Sequence, residues 1–185
     1  DYVRVDFSYN DLIDKKKKKV KASRYKHFID LWIKHLAASA SDITLSSFLI
    51  APDCVAGFKP VDKTVAINWL TDIVILYFKG LCEPLPVTLR TAVVLLNDPE
   101  NIEVINTKNS FSKMENSSEF ALIIKNLKEE YDGDGYNSLG EVGYSPYLQR
   151  VYKDFDSMLS ASDITFVYLS LHLYKPIIDS LEFYS

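Results

Sequence analysis

The chain has 185 residues, of which 48% are hydrophobic and 25% are charged, and its formal net charge is -4. This composition is that of a folded domain, and it excludes disordered, fibrous and low-complexity proteins. No span approaches the roughly 20 consecutive apolar residues that cross a bilayer, so we expect no transmembrane helix.

Positive charge is concentrated in the first 35 residues. They carry ten basic and five acidic residues, a net charge of +5, so the other 150 residues hold -9. The five lysines of Lys15–Lys19 cannot be buried, because each ammonium would lose its hydration without gaining a partner. We therefore predict an exposed basic loop over residues 14–24. Its candidate anion-binding residues, which extend into the next segment, are Lys15, Lys16, Lys17, Lys18, Lys19, Lys21, Arg24 and Lys26.

Around the basic loop, the first half of the chain alternates between strand and helix patterns. Val3–Tyr9 alternates apolar and polar residues, which predicts a half-buried strand. Tyr25–Leu36 has apolar residues three and four apart, which predicts an amphipathic helix. Ile43–Ile50 is typical of a short strand. Asp62–Leu81 is the most apolar stretch and predicts a buried helix that ends before two prolines.

The second half of the chain is dominated by helix patterns. Phe120–Tyr131 carries a second apolar stripe at helical spacing. Ser145 followed by Pro146 predicts the start of a third amphipathic helix. Ile164–Tyr174 is rich in β-branched and aromatic residues and favours a strand, although the Ser-Asp pair before it would equally cap a helix.

These patterns predict an α+β fold over residues 1–185, as a single compact domain with three to four amphipathic helices and a small sheet. Residues 107–118 are polar, and residues 132–144 hold four of the six glycines, so we predict a flexible loop at each place. No linker separates two apolar sets of residues.

Residue types that support catalysis or metal binding are scarce. Neither cysteine has a second cysteine or a histidine at a metal-ligand spacing, and the chain has three histidines. The loop that begins at Asp132 lacks the glycine and the final glutamate of a calcium loop. There is no Gly-rich phosphate loop and no strained serine elbow. We therefore predict no catalytic residue, no metal, no cofactor and a protein that is not an enzyme.

Two segments together resemble the Rho-type GTPase-activating (RhoGAP) domain. Trp69–Leu85 resembles the helix that leads into that family's Leu-Pro-Glu-Pro-Leu signature, and Met158–Pro176 resembles its later helix, with Asp163 at the place of the family's asparagine. Leu49 stands near the place of the catalytic arginine. The resemblance implies an all-helical bundle without GTPase-activating activity, which docks a small GTPase through Leu49, Lys79 and Asp163.

Two functions are therefore in competition. The first is a structural or binding protein whose lysine-rich loop contacts nucleic acid or an anionic membrane and whose apolar faces bind other proteins or a second copy, as in viral matrix or nucleocapsid-associated proteins. The alternative is the inactive RhoGAP-like module. The two cysteines favour a reducing, intracellular location, and the lysine run resembles a nuclear-import signal, so we predict the cytoplasm or the nucleus.

Overall fold

The computed structural model describes residues 2–14, 19–97, 101, 118–135, 139–160 and 165–184. Lys15–Lys18, Asp163 and most of the predicted loop at 107–118 lie outside these residues. The chain divides into two compact units. Unit 1 comprises residues 1–82 and 172–185, and unit 2 comprises residues 83–171.

Both helices and strands are present. The strands are β1 (Tyr2–Phe7), β2 (Ile13–Asp14), β3 (Lys19–Val20), β4 (Leu45–Ile50), β5 (Val55–Phe58) and β6 (Leu181–Tyr184). The helices are α1 (Lys26–Ala40), α2 (Lys63–Cys82), α3 (Leu89–Leu96), α4 (Ser118–Asp132), α5 (Gly140–Gly143), α6 (Pro146–Val151), α7 (Phe155–Leu159), α8 (Phe166–Leu169) and α9 (Lys175–Ser180), with a 3-10 helix at Ala22–Arg24 and a π-helix at Ser170–Tyr174. The predicted α+β class is confirmed, and the all-helical alternative is wrong. The single-domain organisation stays a prediction.

Unit 1 is built on a four-stranded mixed sheet in the order β1-β4-β5-β6. β1 and β4 are parallel, with Tyr2 opposite Leu45 and Phe7 opposite Ile50. Parallel neighbours need a long crossover, and α1 supplies it. β5 is antiparallel to both of its neighbours. The two strands predicted before and after the first helix are therefore adjacent in the sheet.

The core of unit 1 lies where α1 packs between the sheet and α2. The ring of Trp32 on α1 is 4.7 Å from the ring of Phe58 on β5 and 5.3 Å from that of Trp69 on α2. His35 on α1 reaches the sheet, with its Nδ1 atom 2.9 Å from the hydroxyl of Ser47. These contacts use the apolar stripe that predicts the first amphipathic helix.

α2 was expected to be buried, but most of it is exposed. Ala66 and Leu76 are its buried residues, and only 11% of its most apolar 18-residue window is buried. Its length and composition would suffice to cross a membrane, so the expectation that no span comes near that limit is wrong. A single helix that meets this criterion is weak support for a membrane segment.

Unit 2 is helical, and a carboxylate fixes the start of its first helix. The side chain of Glu141 accepts hydrogen bonds from the backbone N–H groups of Leu89, Arg90 and Thr91 at 2.8 to 3.0 Å, and from the Thr91 hydroxyl at 2.8 Å. The first N–H groups of a helix have no partner within the helix, so Glu141 satisfies three of them for α3. Glu141 belongs to α5, which lies within the segment predicted as a flexible loop.

The predicted helix after Ser145 is present, whereas the predicted strand over Ile164–Tyr174 is wrong. The Ser145 hydroxyl accepts from the N–H of Leu148 at 3.3 Å. In the later segment, the Thr165 hydroxyl accepts from the N–H of Tyr168 at 3.2 Å. This cap starts α8, and the helix buries two apolar side chains three positions apart, so tertiary packing outweighs the β-propensity of the run.

Candidate nucleic-acid interface

Four of the predicted anion-binding residues lie in the described part of unit 1, close together in the chain. We call them the basic segment: Lys19, Lys21, Arg24 and Lys26. Lys19 lies on β3, and Lys21 precedes the 3-10 helix that ends at Arg24. Lys26 is the first residue of α1. The other predicted anion-binding residues, Lys15–Lys18, precede β3 and lie outside the described residues.

The positive charge of the basic segment is largely uncompensated. Among the residues that the structure describes, Lys21, Arg24 and Lys26 form no ion pair, and the Nε atom of Arg24 has no hydrogen-bond partner. By contrast, Lys34, further along α1, bonds Asp30 at 2.5 Å. Cations without a carboxylate nearby are available to an external anion.

The pKa of His27 is affected by the positive charges of this segment. Burial lowers the pKa of its imidazole, and the charges of Lys26 and Arg24 lower it further. Its Nε2 atom is buried and has no hydrogen-bond partner within the described part of the chain. A phosphate bound here would oppose the two cations and raise that pKa, so anion binding and protonation of His27 favour each other.

The start of α1 adds to the positive potential. Its first turn contains no acidic residue, and Tyr25 provides no side-chain cap. The helix dipole places partial positive charge at this end, where Lys26 is the first residue. Cations here lower helix stability, whereas a bound anion would restore it.

A carboxylate holds the chain leading into the basic segment. Oδ1 of Asp53, between β4 and β5, accepts from the N–H of Leu12 at 3.0 Å, and its Oδ2 accepts from the N–H of Ile13 at 2.8 Å. Burial alone would raise the pKa of Asp53, but these N–H groups bring it below the ordinary value. Sequence reasoning missed Asp53, because a lone aspartate after a proline has no distinguishing pattern.

The residues of the GTPase-docking alternative do not form a site. Leu49 lies on β4, points toward α1 and is 3% exposed, so it cannot contact a partner. Lys79 is exposed on α2. Asp163 lies outside the described residues.

No metal centre is apparent in the parts of the chain that the structure describes. Within them, no group of three or more histidine, cysteine, aspartate or glutamate side chains could hold a metal ion. Both cysteines are free thiols. With the GTPase-docking site and a metal centre set aside, the basic segment is the remaining candidate for a functional site in the described part of the chain.

One protein-family model matches most of the N-terminal part of unit 1 and the start of unit 2. The family model described as the RecC C-terminal domain matches residues 3–99, just over half of the chain. The chain belongs to the RecC C-terminal domain family. The match includes all but the first residue of β1, the basic segment, α1, β4, β5, α2 and α3. A comparison with curated proteins finds no match.

Membership in the RecC C-terminal domain family overturns the RhoGAP resemblance. The segment Trp69–Leu85 that carried it consists mostly of α2, whose apolar spacing is shared by many helices. The second segment lies partly outside the described residues. The RecC family also gives no support to the comparison with viral matrix proteins.

Proposed function

We propose that this protein is a non-enzymatic component of a DNA-repair assembly and that it binds nucleic acid through the basic segment. The observation that carries the proposal is that Lys21, Arg24 and Lys26, inside the region matched by the RecC C-terminal domain, form no ion pair with any residue that the structure describes. Nucleic-acid binding and protein assembly are the roles that this family membership supports.

The charge distribution supports a local contact with phosphates. Residues outside the first 35 hold a net charge of -9 and repel a polyanion. The segment near the chain start holds the opposite sign, so a nucleic acid would approach that surface in a defined orientation. Phosphate contacts supply affinity without sequence preference.

A protein partner forms the second part of the proposal. One exposed row of α2 has residues at alternating intervals of four and three positions. The row consists of Ile67, Thr71, Val74, Phe78 and Leu81, and all but Thr71 are apolar. This spacing is that of a helix seam in a coiled coil. Exposed apolar surface of this kind is typical of a protein-binding face.

The family supports an intracellular location and gives no support to the nuclear-import interpretation of the lysine run. An anionic membrane presents the same charge to the basic segment as a nucleic acid does. Vesicles containing phosphatidylserine therefore belong in the test as a competing ligand.

The test is a charge reversal of Lys21→Glu, Arg24→Glu and Lys26→Glu, measured by fluorescence anisotropy with a labelled oligonucleotide at several salt concentrations. We expect affinity to fall at least tenfold and the salt slope of log K to decrease by about two to three, because each phosphate contact contributes roughly 0.7 to 0.9.

The matched control is the triple reversal Lys79→Glu, Lys125→Glu and Lys153→Glu. It changes the net charge of the protein by the same amount, but at exposed lysines outside the basic segment. Circular dichroism of both variants establishes that they fold. Equal effects of the two triple variants would show that total charge, and not the basic segment, determines binding. Tighter binding of the parent protein to the vesicles than to the oligonucleotide would also contradict the proposal.

A further inference from the structure

β1 inverts the arrangement expected of a half-buried strand. Val3, Val5 and Phe7, the apolar residues of the alternation, are exposed. Arg4 and Asp6 are partly buried and form an ion pair at 3.0 Å. A strand that places its charges inward and its apolar side chains in solvent loses stability, so the exposed side requires a functional explanation.

The strand register defines the exposed side as one face of the sheet. β4 directs Leu45, Ser47 and Leu49 toward α1, and all three are buried. Side chains in register on neighbouring strands share a face, so their alternates point to the opposite side. We call that side the open face, and its residues are Val3, Val5, Phe7, Ser46, Phe48, Ile50, Val55, Gly57, Glu182 and Tyr184.

The basic segment begins at the end of the sheet where the open face carries Phe7, and the N–H of Lys21 donates to the carbonyl of Leu12 at 2.9 Å. Because β1 and β4 are parallel, α1 runs in the opposite direction, so its first residue lies at the end of the sheet where both strands finish. Phe7 is the last residue of β1 and is 71% exposed. Tyr9, two residues further, is 97% exposed. Asp53 holds the chain leading into the basic segment at this same end.

We propose that Phe7 and Tyr9 stack on unpaired bases, so that this protein selects single-stranded nucleic acid over duplex. The inference rests on the proposed function, with the basic segment contacting the phosphates. Exposed aromatic rings and a positively charged surface are the two parts of a single-strand binding platform, and Phe7 and the basic segment lie at the same end of the sheet. In a duplex the bases stack on each other and do not reach an aromatic ring on a protein surface.

The charge of the open face is compatible with this ligand. Its one formal charge among the described strand residues, Glu182, is paired with Lys59 at 2.8 Å. Phe48 and Tyr184 meet edge to face at 5.1 Å on the same surface, which extends the aromatic area beyond Phe7. The combination of rings and adjacent cations favours a nucleic acid over an apolar protein segment, which would gain nothing from the cations.

Three labelled probes of equal length test the selectivity in the intact protein: a single-stranded oligonucleotide, its duplex, and an abasic strand that keeps the phosphates and lacks the bases. We expect the single strand to bind at least tenfold more tightly than either of the others. An RNA strand of the same sequence should bind with similar affinity, because stacking uses the base faces. Equal affinity for the single strand and the abasic strand would overturn the inference.

The variant Phe7→Ala with Tyr9→Ala should lose on the order of tenfold per stacked base for the single strand and leave duplex and abasic binding unchanged. Phe7→Leu with Tyr9→Leu keeps apolar side chains and should show the same selective loss. The matched control is Tyr77→Ala with Tyr147→Ala, two exposed tyrosines outside the sheet, which should alter none of the three affinities.

The outcomes separate this inference from the proposed function. If the charge reversal of the basic segment weakens all probes while the aromatic variants bind the single strand like the parent, only the stacking inference fails. If the leucine variant binds like the parent and the alanine variant does not, the open face acts as an apolar protein-type contact, and the inference is also wrong. If the charge reversal has no effect, the proposed function fails.

Discussion

At the scale of single residues, Gly57 determines how closely β5 approaches β4. A Cβ atom at this position would lie 2.1 Å from the backbone oxygen of Ser47. The missing side chain also leaves space on the open face, where the rings of Phe48 and Tyr184 meet. Glycine weakens a strand in general, and its presence here marks a close approach of two backbones.

Gly57→Ala should therefore lower the free energy of unfolding by about 1–3 kcal/mol, because the strand must shift to admit the methyl group. Urea unfolding followed by circular dichroism measures the loss. Gly135→Ala is the control: its φ is +75°, and a Cβ atom there would meet no atom of the other described residues within 4 Å, so we expect a cost from left-handed backbone strain of roughly 1 kcal/mol. An equal loss in the two variants would argue against a steric cause.

At the scale of secondary-structure elements, the period of the apolar residues predicted α1, α4 and β4 well. It predicted the buried side of α1 but not that of α2 or β1. Most of α2 and the apolar side chains of Val3, Val5 and Phe7 on β1 are exposed, because burial depends on what packs against an element and not on its own pattern. The prediction of a strand over Ile164–Tyr174 was wrong for a related reason. The cap at Thr165 and the packing of α8 favour a helix and outweigh the strand propensity of these residues.

α3 offers a test of one element. Glu141→Ala removes the acceptor for three backbone N–H groups and one hydroxyl, and it should cost about 1–2 kcal/mol of stability, as for the loss of a helix cap. Thermal unfolding monitored at 222 nm gives the change. The nearby Glu130→Ala removes a carboxylate paired with Arg90 but no backbone acceptor, so its effect should be smaller. A smaller loss for Glu141→Ala than for Glu130→Ala would contradict the capping role.

At the scale of the whole molecule, the run of lysines in the sequence is what drew attention to the basic segment, and the anion-binding role of these residues stays a prediction. Composition could not locate the open face. That face depends on the parallel pairing of β1 with β4 and on the return of β6 from the other end of the sequence, and both are contacts between distant residues. Asp53 was missed for the same reason, because its partners Leu12 and Ile13 lie about 40 residues earlier.

Acidification should destabilise the whole fold in a defined pH range. Burial lowers the pKa of His35 and of His27, with a backbone hydrogen bond at Lys59 partly offsetting the effect for His35. The unfolded chain then binds protons more readily than the folded one, so stability is complete above about pH 6.5 and falls as the pH drops through the unfolded and then the folded pKa values.

Chemical denaturation midpoints between pH 8 and pH 5 measure this slope. His35→Phe keeps a flat ring of similar size next to Trp32 and should flatten the slope, since it removes one of the two titrating groups. His27→Gln should flatten it less, because His27 is less buried. A midpoint that rises on acidification would contradict the assignment.

The origin of β6 has a consequence for the order in which the protein can be made. β6 spans Leu181–Tyr184 and completes the sheet of unit 1, yet all of unit 2 is translated between β5 and β6. The segments of β1, β4 and β5 therefore emerge from the ribosome long before β6, the neighbour of β5, is synthesised. During that interval β5 presents an unpaired edge, which is a template for wrong pairing with another chain. Premature termination anywhere in unit 2 would leave that edge open permanently, so such fragments should aggregate even though they contain the whole basic segment.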